Sequence, residues 1–353
     1  MERLSALLAA LVLFAACGGS GGGPVRPPDE SAPGGMILIN GAGATFPNPI
    51  YSKWFSDYNK LHPNVQINYQ PIGSGGGIRQ LIERTVFFGA SDQPMTDEML
   101  AKAPGPVLHF PTVLGAVVPV YNLEGVTTQI RFTGPVLADI FLGRIARWND
   151  PALAKINPGL SLPASAITVV HRSDGSGTTF VWADYLSKIS PEWNDKVGAS
   201  SSLNWPVGVG GKGNEGVAGL VKQTPASIGY VELVYALQNS ISYGAVQNQA
   251  GEFVSPEVKS VTAAAAGGMA TMPKDFRVSI TNAPGAGAYP ISSFTWILLY
   301  ESAGDTVKAR AMNDFMKWAL GDGQKAAAEL GYAPLPEALV TMELEQLNRI
   351  KVQ

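Results

Sequence analysis

The sequence predicts an α/β fold divided into two domains, and three observations carry that expectation. The chain has 353 residues, more than a single core usually organises. Strand-like and helix-like apolar patterns alternate along it, which implies βαβ units and largely parallel sheets. Glycine-rich turns recur where strands give way to helices, the edge of an open α/β sheet at which ligands sit. Hydrophobic residues make up 46% of the chain, ample for buried cores, while charged residues make up 15%, against roughly 25% in soluble proteins generally. The net charge is −3 and no run of Lys or Arg occurs. That excludes the basic stripe of a nucleic-acid binder.

The N-terminus predicts the compartment. After Arg3 comes the apolar run Leu7–Leu8–Ala9–Ala10–Leu11–Val12–Leu13–Phe14. It is shorter than the roughly 20 residues that span a bilayer but has the length of a signal-peptide core. It ends in Ala15–Ala16–Cys17, small residues before the single cysteine. This pattern resembles a bacterial lipobox, with Phe14 where Leu is commoner. The expectation is a lipoprotein signal peptide over 1–17, with Cys17 acylated as the mature N-terminus; the competing reading is an ordinary cleaved signal peptide. A lone cysteine excludes intramolecular disulfides, so the fold must rest on its cores. Residues 18–35 are rich in Gly and Pro and read as a flexible tether with a reach of roughly 20–25 Å.

From Met36 the elements follow in order. Ile37–Leu38–Ile39 is a short apolar strand, and Ile50, Trp54, Tyr58 and Leu61 recur at helical spacing. Val65 to Tyr69 alternates as a strand, Ile78 to Thr85 reads as a helix, and Phe87 to Ser91 as the next buried strand. Leu114–Tyr121 and Ile167–His171 are further apolar strands. A helix carrying Phe180, Ala183 and Leu186 follows, with another at Glu215–Lys222. Ser293–Tyr300 is the last strand, before helices at Thr306–Leu320 and Glu337–Ile350. Trp54, Trp182 and Trp296 sit in apolar patterns and are expected in the core.

Three of the turns share one design: a strand, small residues with a hydroxyl, then a helix. They are Ala44–Thr45–Phe46, Gly73–Ser74–Gly75 and Ser176–Gly177–Thr178. A helix N-terminus offers unsatisfied N–H groups and about half a positive charge, which favours an anion. Any one such turn is more often a plain N-cap. Three of them, with Arg172 just ahead of the third, point to convergence on one oxyanion. Asp92 is the informative exception, because a carboxylate beside an anion helps only where the ligand has a proton to donate. Phosphate at neutral pH has one and sulfate does not.

Five motifs together resemble the periplasmic phosphate-binding proteins of ABC-type phosphate transporters: Asn40–Gly41–Ala42–Gly43–Ala44–Thr45–Phe46–Pro47, Gly73 to Gly77, Phe88 to Asp92, Gly134 to Gly143, and Arg172 to Thr178. The likeness runs from about Ile37 to near the C-terminus. It implies a type II periplasmic-binding-protein fold, two α/β lobes joined by two crossover strands with phosphate in the cleft. It also implies the ligands: Thr45, Phe46 through its backbone N–H, Ser74 and Asp92 from the first lobe, and Arg172, Ser176, Gly177 and Thr178 from the second. Asp174 would hold the Arg172 guanidinium. His171 stands where an Arg is also familiar and is assigned no role. The lobes are expected at 36–112 plus 285–353 and at 113–284.

The resemblance implies a binding component without enzymatic activity or cofactor, a monomer that delivers phosphate to a membrane permease. It would sit in the cell envelope, in the periplasm or on the outer face of the cytoplasmic membrane, held by its lipid. The alternatives are a binder of another tetrahedral oxyanion (arsenate, molybdate or sulfate) and a phosphatase of the same fold. Gly208–Val209–Gly210–Gly211–Lys212–Gly213 satisfies a dinucleotide fingerprint but lacks a good preceding strand, and is expected to form a turn before a helix. His62, His109 and His171 have no metal-ligand spacing, and no metal is expected.

Overall fold

The computed structural model describes residues 35–352; the signal-like run, Cys17 and the tether up to residue 34 lie outside the described residues. The chain opens with β1 (Ile37–Gly43), α1 (Asn48–Leu61), β2 (Val65–Gln70), α2 (Ser74–Ile82), β3 (Phe88–Ser91) and α3 (Asp97–Lys102). It then runs through the long β4 (Val107–Asn122) into β5 (Arg131–Phe132), α4 (Gly134–Phe141), α5 (Pro151–Ile156), β6 (Thr168–Arg172), α6 (Gly177–Ile189) and α7 (Pro191–Lys196). Next come β7 (Val209–Gly211), α8 (Gly213–Gln223), β8 (Ser227–Glu232), α9 (Leu233–Asn239), β9 (Ser242–Tyr243), β10 (Ala245–Gln247), β11 (Phe253–Val254) and α10 (Val258–Met269). The chain closes with β12 (Ser292–Tyr300), α11 (Thr306–Leu320) and α12 (Glu337–Leu347).

The main sheet runs β2-β1-β3-β12-β4-β8-β6-β7. Its two ends are parallel: β1 pairs β2 and β3, and β6 pairs β7 and β8, all in parallel register. The middle differs from the largely parallel expectation. β12 is antiparallel to both β3 and β4, and β4 is antiparallel to β8. The reason lies in the path of the chain: β4 carries it from one half of the sheet to the other and β12 carries it back, so the two run in opposite directions.

β4 also changes partner along its length. Val107 to Ala116 pair with β12, and Val117 to Asn122 pair with β8. It is buried at every position but its two ends, and β12 is buried throughout. Strands covered on both faces need continuous apolar sequence rather than alternation, which VLGAVVPV and FTWILLY supply. The observed β4 begins seven residues before the expected strand at Leu114 because His109, Pro111 and Thr112 interrupt the apolar pattern; the ladder with β12 shifts register at Thr112, which is left without a partner, and then continues to Val107.

Trp54, Trp182 and Trp296 are all buried, as their patterns predict. The three hydroxyl-bearing turns fall where α1, α2 and α6 begin, at the carboxyl ends of β1, β2 and β6. At the fourth glycine-rich segment the structure has more than a turn: Val209–Gly211 forms a short edge strand beside β6, and Gly213 opens α8.

Candidate functional site

The expected site residues come from four strand-to-helix junctions, after β1, β2, β3 and β6, and meet where the two parallel sets of strands face each other across β4 and β12. Thr45, Ser74, Asp92, Arg172, Ser176 and Thr178 are all buried polar residues. Ser74 is the first residue of α2, entered through Gly73 at φ 90°, a left-handed conformation open mainly to glycine. Ser74 Oγ accepts from the Asp92 N–H at 3.2 Å and from the Gly177 N–H at 3.0 Å, tying the loop after β3 to the start of α6. A Cβ on Gly177 would stand 2.5 Å from Ser74 Oγ and 2.7 Å from the Asp92 backbone nitrogen, so only glycine admits this approach. Beside it the Gly75 N–H donates to the Gly175 carbonyl at 2.9 Å. Ser176 caps α6, its Oγ accepting from the Thr179 N–H at 3.0 Å. Phe46 is buried at the entry to α1, and its carbonyl accepts from Tyr332 Oη at 2.6 Å.

Two charged side chains of opposite sign enter this buried place. Arg172 donates through Nε to Asp174 Oδ1 at 2.8 Å and through Nη2 to Oδ2 at 2.5 Å. This bidentate grip fixes the plane of the guanidinium and aims Nη1, which is buried and makes no hydrogen bond. Burial pushes the Asp174 carboxyl up, but the Arg172 hydrogen bonds and charge and the Gly213 N–H outweigh it, holding the group below the ordinary carboxylate range. Asp92 behaves oppositely. Burial raises its carboxyl to about 7, against the opposing pull of the Thr295 hydroxyl, the Arg172 charge and the Thr178 hydroxyl. Its Oδ1 accepts from Thr295 Oγ1 at 2.8 Å; Oδ2 is buried without a hydrogen bond.

Several residues that shape the site were not expected from the sequence. Asn214, at the first turn of α8, is fully buried and donates to both Thr45 and Thr178. Thr295, on β12, reaches Asp92 from over two hundred residues away in the chain. Tyr230 Oη accepts from the Arg172 N–H at 3.2 Å and bonds Thr179 Oγ1 at 2.7 Å. Tyr235 Oη donates to the Thr45 carbonyl at 2.6 Å. Only Asn214 had a local signal: like the other turns, it is a polar residue opening a helix straight after glycines. His171 turns away from this cluster, its ring stacked on Trp205 at 4.7 Å between centroids. Among the described residues no group of His, Cys, Asp or Glu stands close enough to hold a metal ion.

This arrangement can bind an oxyanion: helix N-termini and hydroxyls as donors, one guanidinium N–H as a charged donor, one carboxylate oxygen as acceptor. Comparison with known proteins agrees. A family model described as the PBP superfamily domain matches residues 22–322. The phosphate-binding protein PstS of Xylella fastidiosa (strain Temecula1) is 52% identical, over 86% of this chain and 83% of its own. The phosphate-binding protein PstS of Methanocaldococcus jannaschii is 39% identical, over 98% of this chain and 94% of its own. Among solved structures, a high-affinity periplasmic phosphate-binding protein (PfluDING) bound with phosphate superposes with a TM-score of 0.70 at 20% identity, over 87% of this chain and 93% of that one. A phosphate-binding protein from Stenotrophomonas maltophilia superposes with a TM-score of 0.69 at 18% identity, over 88% and 94%. At such identities the structures speak for the fold alone, two-lobed and α/β; the sequence relatives speak for descent. On the family match and on identity sustained over most of both sequences, the chain belongs to the PBP superfamily and, within it, to the PstS-type phosphate-binding proteins.

Proposed function

We propose that this chain is the phosphate-capturing component of an ABC-type phosphate importer, binding inorganic phosphate between two lobes and handing it to a membrane permease without chemical change. The observation that carries this reading is the pair of buried, unpartnered atoms Asp92 Oδ2 and Arg172 Nη1 among three helix N-termini. A buried polar atom without a partner is costly, and an ion that accepts from one and donates to the other satisfies both. Hydrogen phosphate does so; sulfate, lacking a proton at neutral pH, does not. In this reading Thr45, the Phe46 N–H, Ser74 and Asp92 bind from the first lobe, and Arg172, Ser176, Gly177 and Thr178 from the second, with Asp174 holding Arg172. The lobes are 36–112 plus 285–353 and 113–284, joined through β4 and the segment entering β12. Calorimetry of the purified protein against phosphate, sulfate and arsenate tests the reading. At about pH 9, where Asp92 is ionised, phosphate should bind, arsenate should follow it because it carries the same protons, and sulfate should lag by roughly 10²–10⁴-fold. Equal affinity for sulfate would refute it.

The protein works as a monomer in the cell envelope, acylated at Cys17 and tethered by residues 18–35. The signal-like run before Cys17 and the Gly/Pro composition after it support this. Cys17→Ser should move the protein from the membrane fraction to the soluble envelope fraction; unchanged fractionation would rule out the anchor.

A further inference from the structure

Residues 275–281, between α10 and β12, lie outside the expected ligand set yet grip both sides of the cleft. Arg277 donates through Nη1 to the Met95 carbonyl at 2.9 Å and to Asp97 Oδ1 at 2.8 Å, while Asp275 Oδ2 accepts from its Nε at 2.8 Å. Met95 is buried, three residues past Asp92, and its N–H is pinned as well, donating to His109 Nε2 at 3.0 Å. Phe276 is buried beside Arg277 in a left-handed conformation, φ 58°, uncommon for a bulky residue. Its carbonyl accepts from Trp296 Nε1 of β12 at 3.0 Å. The next residues bond to the other side. Ser279 Oγ donates to Asp184 Oδ2 of α6 at 2.5 Å, and Thr281 Oγ1 donates to the same oxygen. Lys188 Nζ donates to both hydroxyls, at 2.8 Å and 2.7 Å.

A charged donor on a buried carbonyl is stronger than an exposed ion pair. The bond to Met95 is therefore the firm part of the Arg277 grip, and exposed Asp97 adds little. Only Val278 separates Arg277 from Ser279, which leaves the strap little slack to follow the Asp92 loop and α6 apart. Because Ser176 caps α6 and Gly177 and Thr178 open it, the strap joins the acceptor of the first lobe to the donors of the second by a path that bypasses the ion. We propose that Arg277 is a positioning residue and that residues 275–281 form a latch on the closed cleft, holding Asp92 against the start of α6 so that bound phosphate leaves slowly. This rests on the phosphate reading of the site and deepens it. Opening must release one grip, from Met95 or from Asp184, and losing either has the same consequence.

The test is the rate at which radiolabelled inorganic phosphate leaves the full chain when chased with unlabelled phosphate, in R277A, in S279A/T281V and in the two combined. R277A frees the Met95 carbonyl; S279A/T281V removes both hydroxyls from Asp184 while keeping the size of residue 281. Each should release phosphate about tenfold faster than the wild type with its association rate little changed, because affinity differences within one site lie mostly in dissociation. The combined variant should be about as fast as the faster of the two, not roughly a hundredfold faster than the wild type, since one broken grip already frees the strap. A wild-type release rate in either variant, even with a lowered melting temperature, or effects that multiply in the combined one, would reduce these contacts to independent packing and overturn the inference. A wild-type protein that retains no phosphate would instead sink the functional reading itself.

Discussion

Asp92 is held where ionisation is expensive, with its carboxyl raised to about 7 by burial, while the guanidinium of Arg172 is gripped by Asp174. The pair thus offers a ligand one strong donor and one acceptor whose protonation is balanced near neutrality. A proton-free anion can use that acceptor only when Asp92 is itself protonated. Sulfate affinity should therefore rise about tenfold for each unit the pH is lowered from above, and level off below about 7, where the carboxyl is neutral. Asp92→Asn, whose amide donates at every pH, should flatten that profile and narrow the phosphate-to-sulfate ratio by about 10²-fold. A sulfate profile already flat in the wild type, or an unchanged ratio in the variant, would remove Asp92 from this role. Asp92, Arg172 and the hydroxyls of Thr45, Ser74 and Thr178 were legible in the sequence because each lies in a short turn with glycine or a helix start beside it. Thr295 was not, since it is an unexceptional strand residue that gains its partner only through the pairing of β12 with β3.

At the scale of elements, the start of α6 is pressed against the start of α2 through glycine. A methyl group on Gly177 meets Ser74 Oγ and the Cβ and backbone nitrogen of Asp92 at distances that real Cβ atoms do not reach, and none of these is the far end of a long flexible side chain. Gly177→Ala should weaken phosphate binding at least tenfold, as overpacking of a closed contact commonly costs about 1–3 kcal/mol. Its melting temperature without ligand should stay near that of the wild type, because the strain exists only when the two helix starts meet. Measuring melting and affinity on the same preparation decides the matter. A variant that loses stability without ligand places the contact in the resting fold rather than in ligand capture. Helices α1, α2, α6, α8, α11 and α12 were readable from periodicity, Thr306–Leu320 to the residue, whereas α3, α5, α7, α9 and α10 were not anticipated. The central strands were harder, because burial on both faces erases the alternation that marks a strand.

For the whole molecule, the bonds from Gly75 to Gly175, from Gly177 to Ser74 and from Asn214 to Thr45 all join residues on opposite sides of β4 in the chain. A ligand satisfied from both sides binds fully only when the sides come together, so it shifts the population toward the closed form. Small-angle scattering should record a smaller radius of gyration when phosphate is added to the wild type. The decrease should be less for Arg172→Ala at the same concentration, because that variant lacks the charged donor of the second side. No compaction in a wild-type protein shown by calorimetry to bind phosphate would leave a rigid site and exclude delivery by closure.

The sequence by itself determined the α/β class, the positions of about half of the strands and helices, the core tryptophans and the hydroxyl-bearing turns, because each depends on residues close together in the chain. Tertiary structure alone decided the antiparallel middle of the sheet, the partner switch along β4, the reach of Thr295 to Asp92 and the bridging by Asn214. Those depend on which surfaces meet after the chain has crossed between halves and returned. Local propensity carries no record of that, whereas burial, the satisfaction of every polar atom and the close approach allowed by glycine select it.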